Sequence, residues 1–230
     1  MKSFATDSVY FGVVISLVAF EIGKFLQKRF RLTVFNPIMI GMVLLIGLLL
    51  ALGVEYESYY NGAKYISYLL TPATICLAVP LYEQLALLRK NAGALLIGIV
   101  SGVLANFASV LILSKLFGLN DSQFATLLPK SITTAIGMGV SEALGGTVAI
   151  TVAAIIVTGT FGNMIAESLF RLLRIRHPIA KGLALGTAAH AIGTAKAMEI
   201  GEVEGAMSSL ALTVCGLLTA VAASFLAQAY

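Results

Sequence analysis

Five stretches of this chain, 36–54, 65–82, 91–114, 143–166 and 205–230, contain no Asp, Glu, Lys or Arg. Runs of this length rule out most soluble folds, because a surface helix of a globular domain must turn one polar face to water. In a bilayer the demand is reversed. A helix of about 20 apolar residues crosses the hydrocarbon layer and satisfies its own backbone groups. The rest of the chain agrees, with 59% apolar and only 11% charged residues, where soluble domains carry about 25% charge. A shorter run, 8–20, ends at Glu21 and Lys24, whose side chains can snorkel to the headgroups. The expectation is an all-α, polytopic integral membrane protein. Its N-terminus lacks the pattern of a cleaved leader, so the first helix is expected to act as its own targeting signal.

The net charge of +4 does not imply nucleic-acid binding, because the cations cluster in short loops between the apolar runs. Lys24, Lys28, Arg29 and Arg31 form one cluster, Arg89 and Lys90 a second, and Arg171, Arg174, Arg176 and Lys181 a third. All three are expected to face the cytoplasm. Asp7, Glu55, Glu57, Asp121, Glu199, Glu202 and Glu204 are expected outside. From an outside N-terminus, spans near 8–23, 36–54, 64–84 and 91–115 bring the chain back out, and the span 147–170 then runs inward. Residues 124–146 must therefore enter and leave on one side. Pro129 and a series of glycines suit such a re-entrant hairpin, since irregular backbone is tolerated at membrane depth where protein or a cavity satisfies it. The same path sends 182–199 outward and 205–228 inward.

Two polar-broken stretches lie 116 positions apart: Thr71-Pro72-Ala73-Thr74 leading to Glu83, and Thr187-Ala188-Ala189-His190 leading to Glu199. Interrupted apolar segments at matching places in two halves are the mark of discontinuous helices around a solute site. With the loop assignments they predict an inverted repeat of 1–119 and 120–230 within a single membrane domain.

Lys130, beside Ser131, Thr133 and Thr134, offers a cation and fixed donors to a small anion, which would otherwise lose its hydration uncompensated. An interfacial anchor is the other reading of Lys130. His190 has Thr187 and Thr194 on the same helical face. It is read either as a proton-coupling group or as a structural hydrogen-bonding residue. Thr71 and Thr74, flanking Pro72, repeat the arrangement in the first half, where the proline frees a backbone carbonyl. Asn106 and Asn163 are read as interhelical glue, and Gly98 with Gly102 as a close helix approach, within one subunit or between two. Cys76 and Cys215 read as small apolar residues. The chain has no HExxH, P-loop, GxSxG or cluster of metal ligands. No enzyme activity, metal or cofactor is expected.

The segments Leu70-Thr71-Pro72-Ala73-Thr74 through Ala78-Val79-Pro80-Leu81-Tyr82, Leu128-Pro129-Lys130-Ser131-Ile132-Thr133-Thr134, Gly186-Thr187-Ala188-Ala189-His190-Ala191-Ile192-Gly193-Thr194-Ala195 and Glu204-Gly205-Ala206-Met207-Ser208-Ser209-Leu210-Ala211 together carry a resemblance. The chain resembles the LrgB/CidB membrane proteins and their plastidial relatives over nearly its whole length. It departs from the common family pattern at Ala135, where a proline is usual, and at Ala189, where a serine is usual. The resemblance implies a multi-pass protein of the bacterial cell (inner) membrane. It implies two functions. One is an antiholin-like or holin-like control of murein hydrolase export and lysis, with a small LrgA/CidA-type partner. The other is carriage of small monocarboxylates such as pyruvate, glycolate or glycerate. Residue chemistry favours a carrier of small organic anions by alternating access, with lysis control as a consequence, and a homo-oligomer is expected.

Overall fold

The computed structural model describes residues 10–30, 37–76, 78–228 and 230, and among these the side chains at 70, 71, 74, 78, 80, 81 and 228 are not described. All regular structure among the described residues is helical, and the chain divides into two compact units, 1–76 and 77–230.

In the first unit, α1 (Phe11–Phe30) packs on α2 (Pro37–Leu52) and on α3 (Tyr56–Ser67), followed by α4 (Leu70–Cys76). Small residues set the approach. A Cβ at Gly12 would meet the backbone of Tyr59 and Ala63, and one at Gly23 the backbone of Pro37. Ser16 Oγ and Tyr59 Oη share a hydrogen bond of 2.9 Å between α1 and α3. Tyr56, Tyr59 and Tyr60 form a ring cluster at the start of α3, the amphipathic chemistry of a membrane interface.

The second unit runs α5 (Ala78–Glu83), α6 (Leu85–Lys90), α7 (Ala92–Phe117), α8 (Asp121–Leu127), α9 (Thr134–Ala143), α10 (Val148–Leu172), α11 (Pro178–Ile200) and α12 (Glu202–Gln228). Among the described residues α7, α10 and α12 are long and apolar enough to cross a bilayer. Gly118, at φ 62°, ends α7 in the left-handed conformation that a helix C-terminus favours.

The expected re-entrant hairpin is present. Asn120 caps α8 by a reciprocal pair of hydrogen bonds with Gln123, of 2.9 and 3.0 Å. The chain turns at 128–133, and Thr133 caps α9. Both ends return to one place: Ser122 Oγ donates to the Gly145 carbonyl at 2.9 Å, and the Thr147 N–H donates to Thr126 Oγ1 at 2.8 Å. Thr151 of α10 fastens the hairpin, donating to the Thr126 carbonyl at 2.8 Å and contacting Ser141 Oγ at 2.7 Å.

A second hairpin replaces the expected outward crossing at 182–199. Inside α11, His190 takes φ 42°, ψ −133°, which is not helical. The chain there folds back so sharply that a Cβ at Gly193 would touch the Leu185 carbonyl. The neighbours on α12 give the directions. Gly182 and Gly186 lie against Glu204 and Ser208 in parallel order. On the return arm Thr194 bonds Ser208 at 2.9 Å while Gly205 lies against Met198, in antiparallel order. The arm ends where it began, with Lys196 paired at 2.7 Å to Glu167 near the C-terminus of α10. Glu199 therefore shares a face with the third basic cluster instead of standing opposite it. The 23 residues of α11 are enough in number for a crossing, so length alone did not expose the turn.

The two hairpins enter from opposite ends of α10, a helix of 25 residues or about 37 Å. Leu88 and Leu95 pack with Ala206 and Met207 at the base of the second hairpin, whereas Tyr230 stacks on Phe124 and donates to the Leu119 carbonyl at 2.6 Å at the base of the first. The Arg89–Lys90 and Arg171–Lys181 clusters thus lie toward one face, as the loop charges predict.

Candidate functional site

The tips of both hairpins stop inside the second unit. The ends of half-helices are brought there, the arrangement by which membrane proteins build solute sites. A cavity of about 620 Å³ lies at this point, lined by α7 (Gly102, Ala105, Asn106, Ser109), the first tip (Lys130, Ser131), α10 (Val157, Thr158, Phe161, Gly162, Ile165) and the ingoing arm of the second hairpin (Ala184, Thr187, Ala188).

Lys130 supplies the charge. Its ammonium donates to Asn106 Oδ1 at 2.7 Å and to Ser131 Oγ at 3.0 Å. Ser131 Oγ in turn donates to Asn106 Oδ1 at 2.9 Å, and Asn106 Nδ2 donates to the Leu128 carbonyl at 3.5 Å. Two of the three ammonium donors are used and one is left over. Among the described residues no carboxylate stands within ion-pair distance of Lys130. A half-buried cation without a counter-ion is costly in a low-dielectric site, and an anion in the cavity would relieve that cost. Val157, Phe161 and Ile165 give the opposite wall an apolar character suited to a short carbon skeleton.

Thr187 lines the cavity, but its hydroxyl bonds back to the Leu183 carbonyl at 2.8 Å. Thr133 and Thr134 sit at the cap and first residue of α9, outside the cavity lining. His190 is buried at the second tip, its ring against Gly159 and its Nε2 2.8 Å from the Ile155 carbonyl. A carbonyl only accepts, so that nitrogen carries the proton. The ring turns toward α10 and does not line the cavity. Thr194 donates to the His190 carbonyl at 2.9 Å and braces the turn. Thr71 and Thr74 lie on α4 in the first unit, with side chains outside the described residues.

Asn106 is the residue that sequence reasoning placed in a lesser role. It organises both polar residues of the first tip. A signal was available: Gly102-x-x-x-Asn106 on α7 recurs as Gly159-x-x-x-Asn163 on α10. Each asparagine reaches the tip of the hairpin that follows it, Asn106 to Leu128 and Asn163 to the Ile192 carbonyl, both at 3.5 Å. The glycines serve the approach. A Cβ at Gly102 would come within 2.8 Å of Thr187, and one at Gly98 within 2.9 Å of Leu183. That contact lies within one subunit.

Spanning helix, hairpin, spanning helix, hairpin, spanning helix: this order, with the hairpins entering from opposite ends, defines a polytopic all-helical membrane protein with a largely apolar cavity, carrying one cation, beside the middle of its long helices. The chain belongs to the LrgB-like family, whose model matches residues 16–229. It is 42% identical to the antiholin-like protein LrgB of Bacillus mycoides (strain KBAB4) over 94% of this chain and 95% of that one. The proteins of the same name from Bacillus cereus (strain B4264) and Bacillus anthracis (strain CDC 684 / NRRL 3495) match with the same identity and coverage. No solved structure matches the chain.

Proposed function

We propose that this protein acts in the bacterial cell membrane as an antiholin-like protein whose molecular act is to bind and carry a small organic anion. The two parts rest on different supports. The antiholin-like role is the reading that the names of its relatives support directly. Carriage is supported by one observation above all: Lys130 faces the cavity at the hairpin tips with no carboxylate partner among the described residues. One cation favours one carboxylate, and the apolar wall favours a short chain, so monocarboxylates of the size of pyruvate, glycolate or glycerate fit best. Hairpins entering from opposite sides supply two gates to one site, as alternating access requires.

Uptake into proteoliposomes separates a carrier from a holin-like pore component. A carrier saturates with monocarboxylate and shows counterflow, because one loaded site crosses per cycle. Release of trapped dye without saturable uptake would leave the pore reading in place. A small LrgA/CidA-type partner and a homo-oligomer belong to the same proposal, and co-purification from membranes that contain both proteins tests the first.

A further inference from the structure

A second cavity, of about 570 Å³, lies at the base of the second hairpin, remote from the tip. Its cations come from separate elements: Arg171 from the end of α10, Arg174 and Arg176 from the connection, Lys181 from the ingoing arm and Lys196 from the return arm. Only two carboxylates, Glu167 and Glu199, share it, and both are bonded to Lys196, at 2.7 and 3.2 Å. Arg171, Arg174, Arg176 and Lys181 are left without an ion-pair partner among the described residues. Phe170, Ile175 and Ile200 form an apolar floor beneath them.

Orientation in the membrane requires cations in the loop, but it does not require them to converge. Here they do converge. Arg174 is held at φ 55°, a left-handed position where glycine is the usual choice, and the turn is closed by hydrogen bonds from Arg174 N to the Arg171 carbonyl and from Ile175 N to the Phe170 carbonyl. Three guanidinium groups and an ammonium around one concavity suit an anion with several oxygens and more than one negative charge, because guanidinium forks pair with phosphate oxygens bidentately. A carboxylate would engage too few of them.

We propose that this cavity is a binding site for a phosphate-bearing anion, held between the end of α10 and both arms of the second hairpin. The phosphate belongs either to a soluble phosphate compound or to an anionic lipid headgroup. Since the site touches both arms and α10, occupancy steadies the hairpin whose tip borders the first cavity.

The test uses the full chain, purified in a detergent with a neutral headgroup, and follows the midpoint of thermal unfolding. In one arm inorganic pyrophosphate is titrated against chloride at equal ionic strength. In the other the protein is placed in phosphatidylcholine vesicles with or without phosphatidylglycerol. The variant R171K/R174K/R176K keeps every charge, and so the insertion signal, but loses the guanidinium forks. A saturable rise with pyrophosphate, weakened about tenfold or more in the variant, assigns a soluble phosphate ligand. A rise only with phosphatidylglycerol, reduced in the variant, assigns a lipid headgroup. No rise in either arm, or an equal rise in native protein and variant, overturns the proposal and leaves the cluster as an orientation signal alone.

Discussion

Lys130 owes its position to three neighbours. Asn106 Oδ1 and Ser131 Oγ hold the ammonium, while Pro129 and Leu128, both fully buried, fix the turn that carries it. Replacing it by glutamine keeps a polar side chain of similar reach and removes the charge. A hydrogen bond to a charged group contributes about 1.5–3 kcal/mol, so Lys130→Gln should raise the half-saturating monocarboxylate concentration roughly ten- to a hundredfold, measured by uptake, with unfolding temperature little changed. His190 presents a different case, because its ring bonds the Ile155 carbonyl and fills space beside Gly159. His190→Gln can still donate but cannot take up a proton near neutral pH. If His190 couples transport to protons, the variant exchanges substrate across the membrane but no longer responds to an imposed pH gradient. An unchanged gradient response assigns His190 to the fold alone.

At the scale of elements, the return arm of α11 is the part that most changes the expected membrane path. Single cysteines near Arg176 and near Glu202 should be labelled by an impermeant reagent from the same side, and labelling from opposite sides would contradict the second hairpin. The first hairpin was legible in the sequence because three constraints agreed on it. Loop charges required an even number of passages, Pro129 broke the helix, and Gly145 and Gly146 allowed a tight exit. The second hairpin offered no comparable constraint. The polar-broken stretch ending at His190 marks a discontinuous helix, but the reversal there depends on a histidine at positive φ and on Gly193 packed against Leu185, a tertiary arrangement that the sequence does not spell out. Lys130 and Ser131 were legible as site residues from their chemistry alone. In the sequence Asn106 reads as glue, because an amide in an apolar helix must find a partner wherever it stands, and only the three-dimensional placement shows that this partner is the first tip.

For the whole molecule, the order of spans and hairpins brings one cation from one hairpin and the hydroxyl-bearing arm of the other to the same cavity, between α7 and α10. A structural anchor would account for Lys130 at a lipid interface. It would not account for a cavity walled by four elements with the ammonium's remaining donor unspent. The decisive measurement is substrate protection of that cavity. With Cys76 and Cys215 replaced, a cysteine introduced by Thr158→Cys on the α10 wall reports access by its rate of reaction with a small maleimide. Short monocarboxylates should slow this reaction in a saturable way when Lys130 is present and leave it unaffected in the Lys130→Gln background. Equal rates with and without a panel of such anions, in a protein shown to be folded, would contradict an anion site at the hairpin tips.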